Sequence, residues 1–131
     1  MAFELSFKGK TCVILGGAQG IGAECVRQFA KAGGNVAIGD IRSDEKTRSL
    51  RYEAESFGVQ AKEYVVDVSD EEMVARMFDD IAGQFGSIDV LVFCAGILMK
   101  VPFEELSYDN WRKIIIIVYK FHLMVIYMCD T

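Results

Sequence analysis

The 131-residue sequence has only four cysteines and one histidine, and it lacks a closely spaced set of metal ligands. The cysteines are Cys12, Cys25, Cys94 and Cys129. Because no two of them form a Cys-x-x-Cys pair, their spacing indicates neither a zinc site nor a disulfide framework, and we expect reduced thiols. His122 has no neighbour in sequence that would make it a catalytic base or a metal ligand. We therefore expect no bound metal.

The sequence also lacks an excess of positive charge and a long apolar run. Its net charge of -5 argues against a polyanionic partner such as nucleic acid. The apolar segments 114–119 and 123–129 are separated by Lys120 and His122, and each is far shorter than the roughly 20 residues of a membrane span. Residues 1–10 alternate apolar and polar side chains, which is unlike a secretory signal. We expect a cytoplasmic protein without a membrane or nucleic-acid partner.

Composition and periodicity predict one α/β domain without internal repeats or linkers. A chain of 131 residues fits a single domain, at roughly 100 to 200 residues per domain. Short apolar runs alternate with longer segments of helical period, which is typical of βαβ units with a parallel sheet. The predicted strands cover residues 11–15, 35–38, 61–66 and 88–93.

Capping residues and glycines predict where four helices begin and end. The first follows the glycine-rich run after residue 15, and the second begins near Ser43 and ends at Gly58. The third begins at Ser69, which has capping-box spacing to Glu72. The fourth is capped by Ser107.

A glycine-rich turn joins the first strand to the first helix. Residues 16–22 contain Gly-x-x-x-Gly-x-Gly, and residues without side chains allow a tight turn, close approach of a pyrophosphate, and access to helix N-terminal amides. Asp40 ends the second strand near the roughly 20-residue offset expected of the acid that binds a ribose hydroxyl. Its charge would repel a 2′-phosphate and favour NAD over NADP, although Arg42 opposes that preference. The alternatives are a turn without a ligand and a solvated carboxylate.

These motifs, in this order, resemble the short-chain dehydrogenases/reductases over residues 8–113. Residues 15–22 match that family's glycine motif, with Leu15 in place of threonine, and Asp67 with Val68 resembles its adenine-contacting pair. Residues 93–96 stand where the family has Asn-Asn-Ala-Gly, so both asparagines are absent. The resemblance implies an incomplete Rossmann-like fold with helices on both faces of a sheet of strand order 3-2-1-4. The implied cofactor-binding residues are Gly16, Gln19, Gly20, Ile21, Gly22, Asp40, Ile41, Asp67, Val68, Cys94, Ala95 and Gly96.

The family's catalytic tyrosine and lysine, four residues apart, have no match in this chain. Such spacing places both side chains on one helix face, where the ammonium can lower the pKa of the phenol. The residues four positions after the five tyrosines are Ser56, Val68, Arg112, Leu123 and Thr131. The family's helix asparagine and the glycine after it fall on Val118 and Phe121. We therefore assign no catalytic residue, although the family implies hydride transfer between nicotinamide and an alcohol or carbonyl.

The segment 114–131 departs from the resemblance. Its β-branched residues favour strands, yet its position favours a buried helix, and in this family such a helix meets a partner subunit. Trp111 is interpreted as an aromatic anchor. We hypothesise a tail altered by truncation, a frameshift or a variant transcript. Residues 1–131 would then form one partial dinucleotide-binding domain, and the alternatives are a noncatalytic nucleotide-binding or pairing module and a non-functional product.

Overall fold

A computed structural model describes residues 4–97 and 99–120. Phe121, His122 and Cys129, named above, lie outside the described residues. The elements in chain order are β1 (Thr11–Leu15), α1 (Gly20–Lys31), β2 (Asn35–Asp40), α2 (Glu45–Glu55), β3 (Ala61–Val65), α3 (Glu71–Phe85), β4 (Val90–Phe93), a 3₁₀ turn (Phe103–Glu105), α4 (Tyr108–Ile115) and a π-helical segment (Ile116–Lys120).

The four strands form one parallel sheet in the order β3-β2-β1-β4, which confirms the predicted fold. Ile14 of β1 lies between Ile38 of β2 and Val92 of β4. β1 is fully buried and its side chains are apolar after Thr11, because helices cover both faces of the sheet at its centre. β2 ends at Asp40, as predicted for the acid at the strand end, two residues beyond the apolar run 35–38.

Two layers of apolar side chains hold the helices against the sheet. Cys12 and Ile14 of β1 pack toward α1 and α2, whereas Val13 and Leu15 pack toward α3. Successive side chains of a strand point to opposite faces, so one apolar strand supplies both layers. This arrangement fixes the carboxyl ends of all four strands along one edge of the sheet.

The structure confirms one predicted N-cap residue and moves two others by one position. Ser107 caps α4 as predicted, since its hydroxyl accepts a hydrogen bond from the Asn110 amide at 3.2 Å. Asp70, not Ser69, caps α3, and Asp44, not Ser43, caps α2. In both cases adjacent residues could serve as caps, and the residue with extended backbone immediately before the helix takes the role.

The last described segment passes from α4 into a π-helical turn. Ile117 is its one buried side chain among the described residues. Trp111 is 50% exposed and belongs to neither core layer of the described chain, so it does not serve as an internal anchor there. None of the helices within residues 4–97 and 99–120 has the length and the apolar character of a membrane span.

Candidate functional site

A cleft of about 650 Å³ lies at the carboxyl ends of the strands. Loops that follow all four strands contribute to it, and in open parallel sheets this edge is where ligands bind. Every cofactor-binding residue predicted from the sequence lines this cleft. Its lining consists of Gly16, Gln19, Gly20, Ile21, Gly22, Asp40, Ile41, Arg42, Val66, Asp67, Val68, Phe93, Cys94, Ala95, Gly96, Ile97 and Ile117.

The glycine turn is packed so closely that side chains are excluded at two of its positions. Gly16 has a φ of 80°, and a methyl group placed on it would lie 2.5 Å from the backbone nitrogen of Ala95. A methyl group on Gly22 would collide with the carbonyl oxygen of Gly16. Gly16 and Gly22 therefore place backbone and no side chain at this part of the cleft, and only glycine fits at these two positions.

Helix α1 begins in this turn without a side-chain cap. Gln19 stands at its N-cap position, makes no capping hydrogen bond, and is followed by a first turn without acidic residues. Among the described residues, Asp44, Asp70 and Ser107 provide side-chain caps for the other three α-helices. The positive end of the α1 dipole consequently faces the cleft with no acidic residue in the first turn of the helix itself, which favours an anionic ligand.

Asp40 is held at the edge of the turn by main-chain hydrogen bonds. Its carboxylate accepts one from the Ala18 amide at 3.1 Å and one from the Arg42 amide at 3.2 Å. The Gly16 amide donates to the Gly39 carbonyl at 2.7 Å, which fastens the turn to the end of β2. The carboxylate is thus oriented by the same backbone that forms the anion-binding turn.

Asp67 and Val68 form the next part of the wall. The hydroxyl and the amide of Ser69 both donate to one oxygen of Asp67, at 2.6 and 2.9 Å. These hydrogen bonds, and to a smaller extent the charge of Lys113, hold the pKa of Asp67 below its usual value. Asp67 is therefore an anion at neutral pH, with its orientation set by the turn that precedes α3.

The segment after β4 closes the cleft beside Gly16. The Cys94 amide donates to the Leu15 carbonyl at 2.7 Å and so continues the pairing of β4 with β1. Burial, with a smaller contribution from Cys25, raises the pKa of the Cys94 thiol. Cys94 is therefore a neutral thiol and a weak hydrogen-bond donor at this wall, while Ala95 presents its backbone to Gly16.

A tyrosine and a lysine do meet elsewhere, but they are not arranged as an acid/base pair. The hydroxyl of Tyr64 donates to Asp80 at 2.6 Å, and the ammonium of Lys62 donates to the same carboxylate oxygen at 2.7 Å. Burial first, and then Asp80, raises the pKa of Tyr64. A tyrosine that is held in its protonated form is a poor proton acceptor, so these three side chains brace β3 against α3.

Sequence reasoning missed several residues of the cleft. Val66 and Ile97 are apolar neighbours of predicted residues, and no motif in the sequence marks them. The sequence favours a core position over a cofactor contact for Phe93, and the structure has it packed against the core layer of α3 and also lining the cleft. The sequence indicates Arg42 only as a charge that opposes Asp40, and in the structure its side chain also lines the cleft. Ile117 reaches the cleft from the π-helical segment, and no periodic pattern in the sequence indicates that position.

Comparison with known proteins identifies the family. The family model described as short chain dehydrogenase matches residues 10–129. The chain belongs to this family. The match extends past residue 113, where the resemblance was expected to end, so the divergence of residues 114–131 stays a prediction.

Relatives of this short-chain dehydrogenase chain are longer than the chain itself. It is 41% identical over 113 residues to a cis-4-hydroxycyclohexanecarboxylate dehydrogenase of Sinomonas cyclohexanicum, covering 84% of this chain and 44% of that protein. A short chain dehydrogenase of Burkholderia cenocepacia J2315 in complex with NADP superposes with a TM-score of 0.90 at 27% identity, covering 95% of this chain and 51% of that one. An NAD⁺-bound xylitol dehydrogenase superposes with a TM-score of 0.83 at 28% identity, covering 92% and 46%. The family therefore binds nicotinamide dinucleotides, with examples of both cofactors.

Proposed function

We propose that the cleft binds a nicotinamide dinucleotide, and that it is the cofactor site of an oxidoreductase that transfers hydride between nicotinamide and an alcohol or carbonyl. The observation that carries the proposal is the convergence of four separate segments on one cleft. Its floor is a glycine turn at the uncapped N-terminus of α1, and its rim carries the anchored carboxylate of Asp40.

The chemistry of the cleft suits each part of such a ligand. The backbone of Gly16, Gly20 and Gly22, with Gln19 and Ile21 between them, would receive the pyrophosphate at the helix N-terminus. Asp40 and Ile41 would hold the adenosine ribose, Asp67 and Val68 the adenine, and residues 94–96 the nicotinamide ribose. When bound, the dinucleotide supplies a hydride acceptor or donor.

The same carboxylate supports a preference for NAD. Two unit charges about 4 Å apart interact by about 4 kcal/mol near a protein surface, so Asp40 would oppose a 2′-phosphate by an energy of this order. Arg42 lines the same end of the cleft and would offset part of that repulsion. We expect the balance to favour NAD. Two amides hold the Asp40 carboxylate in place, and there it can accept a hydrogen bond from a ribose hydroxyl.

Titration calorimetry of two Asp40 variants tests this proposal. In Asp40→Asn the side-chain oxygen can still accept from the Ala18 amide, whereas Asp40→Ala removes both the charge and the acceptor. Hydrogen bonds to charged groups contribute about 1.5 to 3 kcal/mol, so Asp40→Ala should weaken NAD binding by about 10- to 150-fold. Asp40→Asn should reduce the ratio of NAD to NADP affinity by about tenfold or more. An unchanged ratio in both variants would remove Asp40 from cofactor selection.

In this proposal the chain alone is not catalytically competent. The chain has no Tyr-x-x-x-Lys. Within the described residues, Tyr64 and Lys62 lie close together, but both donate hydrogen bonds to Asp80 and do not form an acid/base pair. This observation favours the second candidate, a noncatalytic nucleotide-binding module, for the chain taken alone. We expect the purified chain to bind NAD without oxidising a panel of alcohols, and turnover in that assay would contradict the assignment.

We also propose that α4 pairs with a second copy or a longer subunit, and that the protein is cytoplasmic. Tyr108 and Trp111, three residues apart on α4, are 73% and 50% exposed. Together with Ile115 they line a shallow groove along that helix. Exposure of this apolar surface to water is unfavourable, so a partner that covers it would stabilise the helix. The free thiols of the described chain support a reducing compartment.

A further inference from the structure

The sheet order divides the cleft into two sides, one on each side of the glycine turn. β1 lies between β2 and β4 in the order β3-β2-β1-β4. The turn after β1 therefore has the ends of β2 and β3 on one side and the segment after β4 on the other. The proposed function assigns the first side to the adenosine, the turn to the pyrophosphate, and the second side to the nicotinamide ribose.

Charged side chains line the adenosine side of the cleft, and hydrogen bonds fix two of them in place. Asp40, Arg42 and Asp67 line the cleft there. Asp40 accepts hydrogen bonds from the amides of Ala18 and Arg42 at 3.1 and 3.2 Å. Asp67 accepts two from Ser69, at 2.6 and 2.9 Å. Carboxylates that are already oriented lose little freedom when a ligand donates to them, so this side is preorganised for binding.

Apolar side chains complete the adenosine side. Ile41, Val66 and Val68 are the sequence neighbours of the two carboxylates, and all three line the cleft. Val66 is 1% exposed, and Val68 packs against the α3 core layer. A purine base has apolar faces and a polar edge. This side of the cleft offers apolar contact and hydrogen-bond acceptors together, which suits such a base.

The segment after β4 has no charged or amide side chain within the described lining of the cleft. The lining residues of this segment are Phe93, Cys94, Ala95, Gly96 and Ile97. Burial raises the pKa of the Cys94 thiol, so the thiol is neutral and is a weak hydrogen-bond donor. Phe93 also packs against the α3 core layer. This segment therefore presents mainly backbone groups and apolar side chains to a nicotinamide ribose.

The two sides consequently differ in what they can contribute to affinity. A hydrogen bond to a charged group strengthens binding by about 10- to 150-fold, whereas one between neutral groups contributes about 2- to 12-fold. The charged groups lie on the adenosine side, and the positive end of the α1 dipole lies at the turn that would receive the pyrophosphate. Most of the affinity for a dinucleotide should therefore come from its adenosine diphosphate part.

On the basis of the proposed function, we infer that the ligand class of this cleft is the adenosine diphosphates with a free ribose 2′-hydroxyl, of which NAD is one member. NADH, ADP-ribose and ADP belong to the same class, because each presents an adenine, a ribose and a pyrophosphate to the charged side and the turn. Nicotinamide mononucleotide lacks the adenosine and lies outside the class. The cleft thus selects the adenosine diphosphate part and discriminates little between the groups attached to it.

Titration calorimetry of the 131-residue chain with matched nucleotides tests the inference. NAD, NADH, ADP-ribose and ADP are each titrated, and nicotinamide mononucleotide is used alone and as a competitor of NAD. NADH and ADP-ribose carry the same charge, so their comparison isolates the nicotinamide. We expect their dissociation constants to agree within about threefold, and that of ADP to lie within about tenfold of both. Nicotinamide mononucleotide should neither bind detectably nor displace NAD.

Two aspartate variants provide matched controls. Asp40→Ala should weaken binding of NADH and ADP-ribose by the same factor, so that the ratio of their dissociation constants stays unchanged. Asp79 is an exposed residue of α3 that does not line the cleft. Asp79→Ala removes the same charge from the chain and should leave every dissociation constant unchanged. The nucleotide comparison in the unaltered chain depends on neither variant.

The outcomes separate this inference from the proposed function. Binding of NADH more than about tenfold tighter than that of ADP-ribose would overturn the inference and leave the proposed dinucleotide site in place. Competition by nicotinamide mononucleotide would do the same. Absence of binding by all five nucleotides, from a chain that gives the circular dichroism of a folded protein, would overturn both.

Discussion

Substitution of Gly16 by alanine should destabilise the fold by more than backbone strain alone. Gly16 has a φ of 80°, and a non-glycine residue in that region costs about 1 to 2 kcal/mol. The added methyl group would also lie 2.5 Å from the Ala95 nitrogen and 2.6 Å from the Cys94 carbonyl carbon. Backbone atoms cannot move away by changing a rotamer, so an overpacking cost of about 1 to 3 kcal/mol is added. The expected loss is about 2 to 5 kcal/mol of unfolding free energy.

Gly58 provides a matched control for this prediction. Its φ of 85° is close to that of Gly16, but an added methyl group would meet nothing within 4 Å. Gly58→Ala should therefore cost only the strain, about 1 to 2 kcal/mol. Urea unfolding followed by circular dichroism, without nucleotide, measures both losses. Equal losses in the two variants would refute the close contact between the glycine turn and the segment after β4.

Two further predictions concern the edges of the structure. Burial and then Asp80 raise the pKa of Tyr64 in the folded chain. The protonated tyrosine therefore stabilises the fold below pH 10, the ordinary pKa of tyrosine. This stabilisation is lost as the pH rises through the higher pKa of the folded state. Asp80→Asn should lower the pKa of Tyr64 in an ultraviolet titration, with Tyr64→Phe identifying the transition; an unchanged titration would contradict this role of Asp80. If α4 pairs with another chain, sedimentation velocity should show association that increases with protein concentration and is reduced in Trp111→Glu, and a monomer at all concentrations would exclude pairing between copies.

The sheet was predictable from the sequence because its pattern is strong at every level. Short apolar strands alternate with amphipathic helices, and glycines mark the turns between them, so the positions of the strands follow from the sequence pattern. Their order in the sheet follows from the family resemblance. Helix starts were predictable only to within a residue. Ser69 and Asp70 are both good caps, and the backbone conformation that decides between them depends on the preceding turn, where Asp67 binds Ser69.

The site was predictable where its chemistry depends on the main chain, and less so where it depends on tertiary contacts. Glycines and strand-end carboxylates have spacings that can be read directly, whereas Ile117 reaches the cleft through a π-helical turn that no simple period specifies.

Amide NMR of the isotope-labelled chain during titration with NAD is the most direct test of the proposed dinucleotide site. We predict saturable shifts concentrated at residues 16–22, 40–42, 67–68 and 94–96, with smaller effects from NADP at the same concentrations. Shifts confined to other surfaces, or no shifts at millimolar NAD from a chain that gives the spectrum of a folded protein, would contradict the assignment of this cleft.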